Sequence, residues 1–117
     1  MIRGIRGAVN ADNNTKDSII ESTKKLLQEI VKKNNITTDM IASVIFTATA
    51  DLNATFPAEA ARQIGWLEVP LLCAKEIEVP GSLEKVIRVL IHLNTEKKQN
   101  QIEHIYLGET KKLRTDL

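Results

Sequence analysis

The run Val86-Ile87-Arg88-Val89-Leu90-Ile91 decides how this chain is read. As a strand it sends alternate side chains to opposite faces. Ile87, Val89, Ile91 and Leu93 then form one apolar face, while Arg88 stands between Val86 and Leu90 on the other. A guanidinium does not shed its charge, so among apolar neighbours it needs a carboxylate, a route to water along its stem, or an anionic ligand. The opening run Ile2-Arg3-Gly4-Ile5-Arg6-Gly7-Ala8-Val9 repeats the situation. Arg6 shares a face with Ile2, Gly4 and Ala8, and the small neighbours leave space beside its head. A paired or water-seeking side chain is the ordinary reading of either arginine alone. Two of them held on strands suggest a site for a small, multiply charged anion.

Outward from these runs, alternation and helical spacing divide the chain. Residues 2–9 read as a strand and 10–14 as a polar loop. Thr15 caps a helix in which Ile19, Ile20, Thr23, Leu26, Leu27, Ile30 and Val31 keep the three-four spacing. Asp17 and Glu21 near its start and Lys32 and Lys33 near its end suit the helix dipole, and Asn34-Asn35 stop it. Met40 to Ala48 alternates again, with Val44, Phe46 and Ala48 on one face and Ser43 and Thr47 on the other. A short helix opens with Pro57 in its first turn and closes at Gly65. Trp66 to Cys73 is expected as a third strand, and Pro70 makes it an edge because it has no N–H to donate. After a turn at residues 79–82 come a long strand, Leu83 to Leu93, and a last one, Ile102 to Leu107.

The order β-α-β-α-β-β-β gives an α+β domain over residues 1–117: a mixed five-stranded sheet with one long and one short helix. The one long amphipathic helix covers only part of one sheet face, and there is no second long helix. The face carrying Val86, Arg88 and Leu90 is left open, so oligomerisation is expected.

Composition excludes several classes. With 117 residues and a net charge of +1, the chain has room for one core and lacks the basic excess of a nucleic-acid binder. Four aromatic residues, Phe46, Phe56, Trp66 and Tyr106, are too few for a stacking platform. The lone Cys73 permits no intrachain disulfide and suits a reducing compartment. No apolar stretch approaches the ~20 residues of a membrane span, and arginines and glycines interrupt the N-terminus where a signal peptide would be apolar. A cytoplasmic chain is expected.

The chemistry-bearing residues are equally restricted. His92, His104 and Cys73 show no metal-ligand spacing, so no metal is expected. Gly4-Ile5-Arg6-Gly7 lacks the Lys-Ser/Thr ending of a phosphate loop, and no other cofactor motif is present. In Cys73-Ala74-Lys75-Glu76 the two polar residues lie three apart, and both reach one site only if the strand ends or bulges between them. A lone cysteine is ordinarily an inert core residue, Glu76 and Arg62 are ordinarily solvated, and Tyr106 is ordinarily a core ring with a tethered hydroxyl. A set of arginines, one glutamate, a thiol and a phenol is better suited to holding charge in place than to attacking a substrate.

Assembled, these residues resemble the monofunctional chorismate mutases of the AroH class. The likeness runs through Ile2-Arg3-Gly4-Ile5-Arg6-Gly7-Ala8, Ala48-Thr49-Ala50-Asp51-Leu52, Phe56-Pro57-Ala58, Val69-Pro70 and Cys73-x-x-Glu76. It continues in Ile87-Arg88-Val89, His104-x-Tyr106-Leu107 and Leu113-Arg114-x-Asp116-Leu117. The resemblance implies a homotrimeric pseudo α/β-barrel with sites between subunits. It implies a cofactor-free Claisen rearrangement of the dianion chorismate to prephenate, within aromatic amino acid biosynthesis. By the match of motifs, Arg88 would donate to the ether oxygen and to a carboxylate, and Arg6 would hold a carboxylate with Tyr106 beside it. Glu76 and Cys73 would fix the ring hydroxyl, and Glu76 would favour positive character on the ring. Phe56 would wall the apolar side, Arg62 and Arg114 would lie at the mouth or in the closing tail, and Leu113 would make a lid contact. Glu59 and Leu72 depart from the basic and hydroxyl residues common at those places, and are expected to tune affinity or access. A trimeric sensor that binds a small anion without chemistry is the alternative, but such a site gains nothing from a carboxylate pointed into it.

Overall fold

A computed structural model of the chain describes residues 1–113. Its elements are β1 (Ile2–Asn10), α1 (Lys16–Asn34), β2 (Ile41–Ala48), α2 (Ala58–Gln63), β3 (Leu71–Lys75), β4 (Val86–Asn94) and β5 (Ile105–Tyr106). The strands form one sheet in the order β3-β2-β4-β1-β5. β4 runs antiparallel to both β1 and β2, whereas β3 and β5 add in parallel at the two edges. The result is α+β with a mixed five-stranded sheet, as expected.

The central strand behaves as its alternation requires. Ile87, Val89, Ile91 and Leu93 are buried, together with Val44 and Phe46 of β2 and Ile5 and Val9 of β1. α1 lies over this face with Ile19, Ile20, Thr23, Leu26, Leu27, Ile30 and Asn34 buried. Thr15 Oγ1 accepts from the Ser18 N–H at 3.1 Å, and Asn35 closes the helix in the left-handed conformation at φ 52°. The close approach of helix and sheet depends on Gly7, because a Cβ there would lie 2.9 Å from Ile30 Cδ1 and 3.1 Å from Val89 Cγ1. Burying the large aliphatic side chains of this layer stabilises the fold by ~1.5–3 kcal/mol each before chain entropy is charged against it.

Three boundaries differ from expectation. The third strand begins at Leu71, not Trp66; Trp66 is instead buried just after the left-handed Gly65 (φ 95°). Pro70, with no N–H, contributes only its carbonyl, which accepts from Val44, and pairing with β2 then carries the strand on to Lys75. The fourth strand begins at Val86, not Leu83, because Lys85 takes a left-handed turn at φ 53°. Both Asp51 carboxylate oxygens accept from the Lys85 N–H, and Thr49 Oγ1 accepts from the Val86 N–H. The last strand shrinks to Ile105–Tyr106, since a 3-10 turn over Gln99–Gln101 precedes it. No helix among the described residues is long and apolar enough to cross a membrane.

Candidate active site

Strand register places the arginines. Arg6 is opposite Leu90 and Ala8 is opposite Arg88 across β1 and β4, so both guanidiniums leave the sheet on the face that α1 does not cover. Thr47 is opposite Arg88 across β2 and β4. Tyr106 pairs with Ala8 from β5 and joins the same face. Glu76 arrives from the far edge: β3 ends at Lys75, and the Glu76 N–H donates to the Ala48 carbonyl at 2.9 Å. The strand thus ends between Cys73 and Glu76, yet the two residues do not line one cleft within the chain.

Arg6, Thr47, Glu76, Arg88 and Tyr106 line one cleft of about 310 Å³ floored by Gly7, Ile45, Val89 and Leu90. Glu76 Oε1 lies 3.7 Å from Arg88 Nε, and Thr47 Oγ1 donates to Glu76 Oε2 at 2.5 Å. Arg88 therefore has the carboxylate partner that its apolar setting demands, yet its side chain remains 44% exposed against 25% for Glu76. Among the described residues the Arg6 guanidinium has no ion-pair partner. Two guanidiniums against one carboxylate leave a net positive cleft with an aliphatic floor. Such a cleft attracts an anion that also has an apolar body.

The other candidate residues lie elsewhere. Cys73 is opposite Phe46, so its side chain leaves the sheet on the helix-covered face, half-buried against the core. It lines a second concavity of about 650 Å³ with Phe56, Pro57 and Ala74. Phe56, just ahead of α2, is 69% exposed. Arg62 on α2 pairs with Glu59 at 3.2 Å, and Leu113 ends a 3-10 turn over Gly108–Leu113. Neither Arg62 nor Leu113 lines the two concavities. Arg114 lies outside the described residues.

Sequence reasoning did not single out Thr47, His104 or Asp51 for the roles they hold. His104 Nδ1 accepts the Arg6 N–H at 3.0 Å, anchoring the backbone from which one guanidinium projects. In the neutral ring that acceptor leaves the proton on Nε2. Asp51 and Thr49 pin the start of the Arg88 strand by the bonds given above. Asn14 accepts from the N–H groups of Asn53 and Ala54 and donates to the Asn53 side chain, tying down the loop that leads to Phe56. These are bonds made by side chains between segments far apart in sequence, most of them to backbone N–H groups, and no local pattern announces them.

A cleft on the open sheet face lined by two arginines and one glutamate is suited to placing charge around a bound anion. The family model for chorismate mutase type I matches residues 2–117, and the chain belongs to that family. It is 50% identical to chorismate mutase AroH of Thermus thermophilus, over 100% of this chain and 97% of that protein. Identity to chorismate mutase AroH of Bacillus subtilis (strain 168) is 42%, over 100% of this chain and 93% of that protein. Among solved structures, a chorismate mutase from Clostridium thermocellum superposes with a TM-score of 0.92 at 51% identity, covering 93% of this chain and 97% of that one.

Proposed function

We propose that the cleft between Arg6, Glu76, Arg88 and Tyr106 is where this chorismate mutase, an isomerase, converts chorismate to prephenate. The single observation behind the assignment is the convergence of both guanidiniums and one carboxylate in the same cleft, from strands β1 and β4 and from the residue just past the end of β3. The reaction needs no nucleophile, metal or proton transfer. It needs a flexible dianion held in the compact conformer that brings the two reacting carbons together, and stabilisation of the charge that separates as the ether C–O bond breaks. Arg88 donates to the ether oxygen and a carboxylate, Arg6 holds a carboxylate, and the Tyr106 hydroxyl donates beside it. Glu76 faces the ring, which gains positive character in the transition state.

The assembly belongs to the same reading. The open sheet face and its margins expose Ile2 at 52%, Leu72 at 62% and Ile77 at 80%. Three copies packing these surfaces together as a pseudo-barrel would cover them. Phe56 does not line the cleft of its own chain. Together with Cys73, which shares its concavity, it would wall a neighbouring subunit's site, with Arg62 and Leu113 nearby, and Cys73 would meet the ring hydroxyl there. Arg114 is proposed as a further substrate-binding residue. One catalytic domain spans residues 1–117, working in the cytoplasm in aromatic amino acid biosynthesis. The direct test is the loss of chorismate absorbance, with formation of prephenate, on adding purified protein without metal. Saturable turnover supports the assignment, and binding of chorismate without turnover overturns it.

A further inference from the structure

We infer that Thr47 is a positioning residue for the rearrangement: its hydroxyl holds the Glu76 carboxylate open instead of letting it close on Arg88. This rests on the reading that Glu76 faces the substrate. The two carboxylate oxygens have different partners, Oε2 accepting from Thr47 Oγ1 at 2.5 Å and Oε1 standing 3.7 Å from Arg88 Nε. The contact to Arg88 is an ion pair too long for a good hydrogen bond. A carboxylate and a guanidinium left to themselves prefer the bidentate fork, with two parallel N–H···O bonds. That closed pair would direct Arg88 donors at Glu76 and away from the breaking ether bond. By occupying Oε2, the Thr47 hydroxyl competes against the closed pair and leaves guanidinium N–H groups for substrate.

The placement is specific to this side chain. Thr47 stands directly opposite Arg88 in the β2–β4 ladder, on the same face. Glu76 lies one residue past the end of β3 and leads into a segment where Ile77 and Val79 are exposed. Beyond its N–H bond to Ala48, little backbone pairing restrains it. The other hydroxyls of β2 and its extension are committed elsewhere: Ser43 Oγ pairs with His92 Nδ1, and Thr49 bonds Asp51 and the Val86 N–H.

The test uses Thr47→Val, which keeps the shape and removes the donor, beside Thr47→Ser, which keeps the donor, with Glu76→Gln as reference. Thr47→Val should lower kcat about tenfold, the scale of one hydrogen bond to a charged group, with KM changed about twofold or less. Thr47→Ser should stay within a few-fold of the parent. In the Glu76→Gln background, Thr47→Val should add less than in the parent, because two residues acting through one contact are not additive. Equal kcat losses in the Val and Ser variants, or the full tenfold loss in both backgrounds, would show a role independent of the carboxylate and overturn the inference. Impaired Glu76→Gln with fully active Thr47→Val overturns it alone. A fully active Glu76→Gln instead removes the reading beneath it.

Discussion

Glu76 reaches Arg88 across an intervening strand: β2 lies between β3 and β4, and the Glu76 carboxylate spans Thr47 to stand 3.7 Å from Arg88 Nε. The ion pair lies over the open sheet face, partly exposed on both sides. Solvent screening keeps the contribution of such a pair to stability small, so under the proposed function its geometry matters through the anion it would face. A carboxylate beside a needed cation costs affinity for a dianion. It repays that cost only if positive charge develops nearby during the reaction.

Glu76→Gln should therefore lower kcat more than it raises KM. The neutral amide keeps the shape and loses the charge that matters as the ring becomes cationic. Steady-state kinetics separate the two parameters. An unchanged kcat with altered KM would remove Glu76 from the chemical step.

Cys73→Ser should leave turnover within a few-fold of the parent, since under the proposed function a hydroxyl can make the contact assigned to the thiol. The same substitution should lower stability by about 1 kcal/mol, because Cys73 packs half-buried beside Phe46 on the covered face. A folded but dead serine variant would point to a thiolate nucleophile and contradict a pericyclic mechanism.

Much of the fold was legible because its signals are local. α1 shows its period, its Thr15 cap and its asparagine stop within one window, and β1, β2 and β4 alternate cleanly. β3 was misplaced because Trp66, Leu67 and Val69 read as apolar strand. In the fold Trp66 is a buried anchor, Leu67 is 78% exposed, and pairing begins only past Pro70. Ile102 and Ile105 read in sequence as two apolar positions of one strand; both are buried, but residues 102–104 follow a 3-10 turn without regular structure and pairing begins only at Ile105. Arg6 and Arg88 were readable as charges stranded in apolar runs. Thr47 was not, because its role depends on β2 pairing with β4 and on Glu76 returning past the end of β3, which are contacts between distant segments.

Gly108→Ala should destabilise the fold by about 1–3 kcal/mol, through left-handed strain and a clash. Gly108 sits at φ 62°, and a Cβ there would lie 2.2 Å from Asn10 Oδ1, which already accepts from the Glu109 N–H. Gly81→Ala, at φ 83° with nothing within 4 Å, meets the strain alone and should cost only about 1–2 kcal/mol. Chemical denaturation of both variants checks the difference. Equal losses would mean that the Asn10 contact does not hold the C-terminal turn against β1.

Sedimentation should show a trimer at working concentration, and mixed trimers should complement. Arg88→Ala combined by subunit exchange with a Phe56→Ala, Arg62→Ala double variant should regain part of the parental rate. Only sites receiving an intact side from each chain recover. A fully active monomer would contradict the shared cleft, whereas a trimer without complementation would contradict only the division of residues between chains.

The most direct measurement is kcat for Arg88→Lys with the fold verified by circular dichroism. Lysine preserves the charge but not the planar fork that reaches ether oxygen and carboxylate together. Loss of a transition-state donor of this kind lowers kcat on the order of 10²-fold or more, and that is the predicted result. A folded lysine variant turning over chorismate within a few-fold of the parent would contradict the central role given to Arg88.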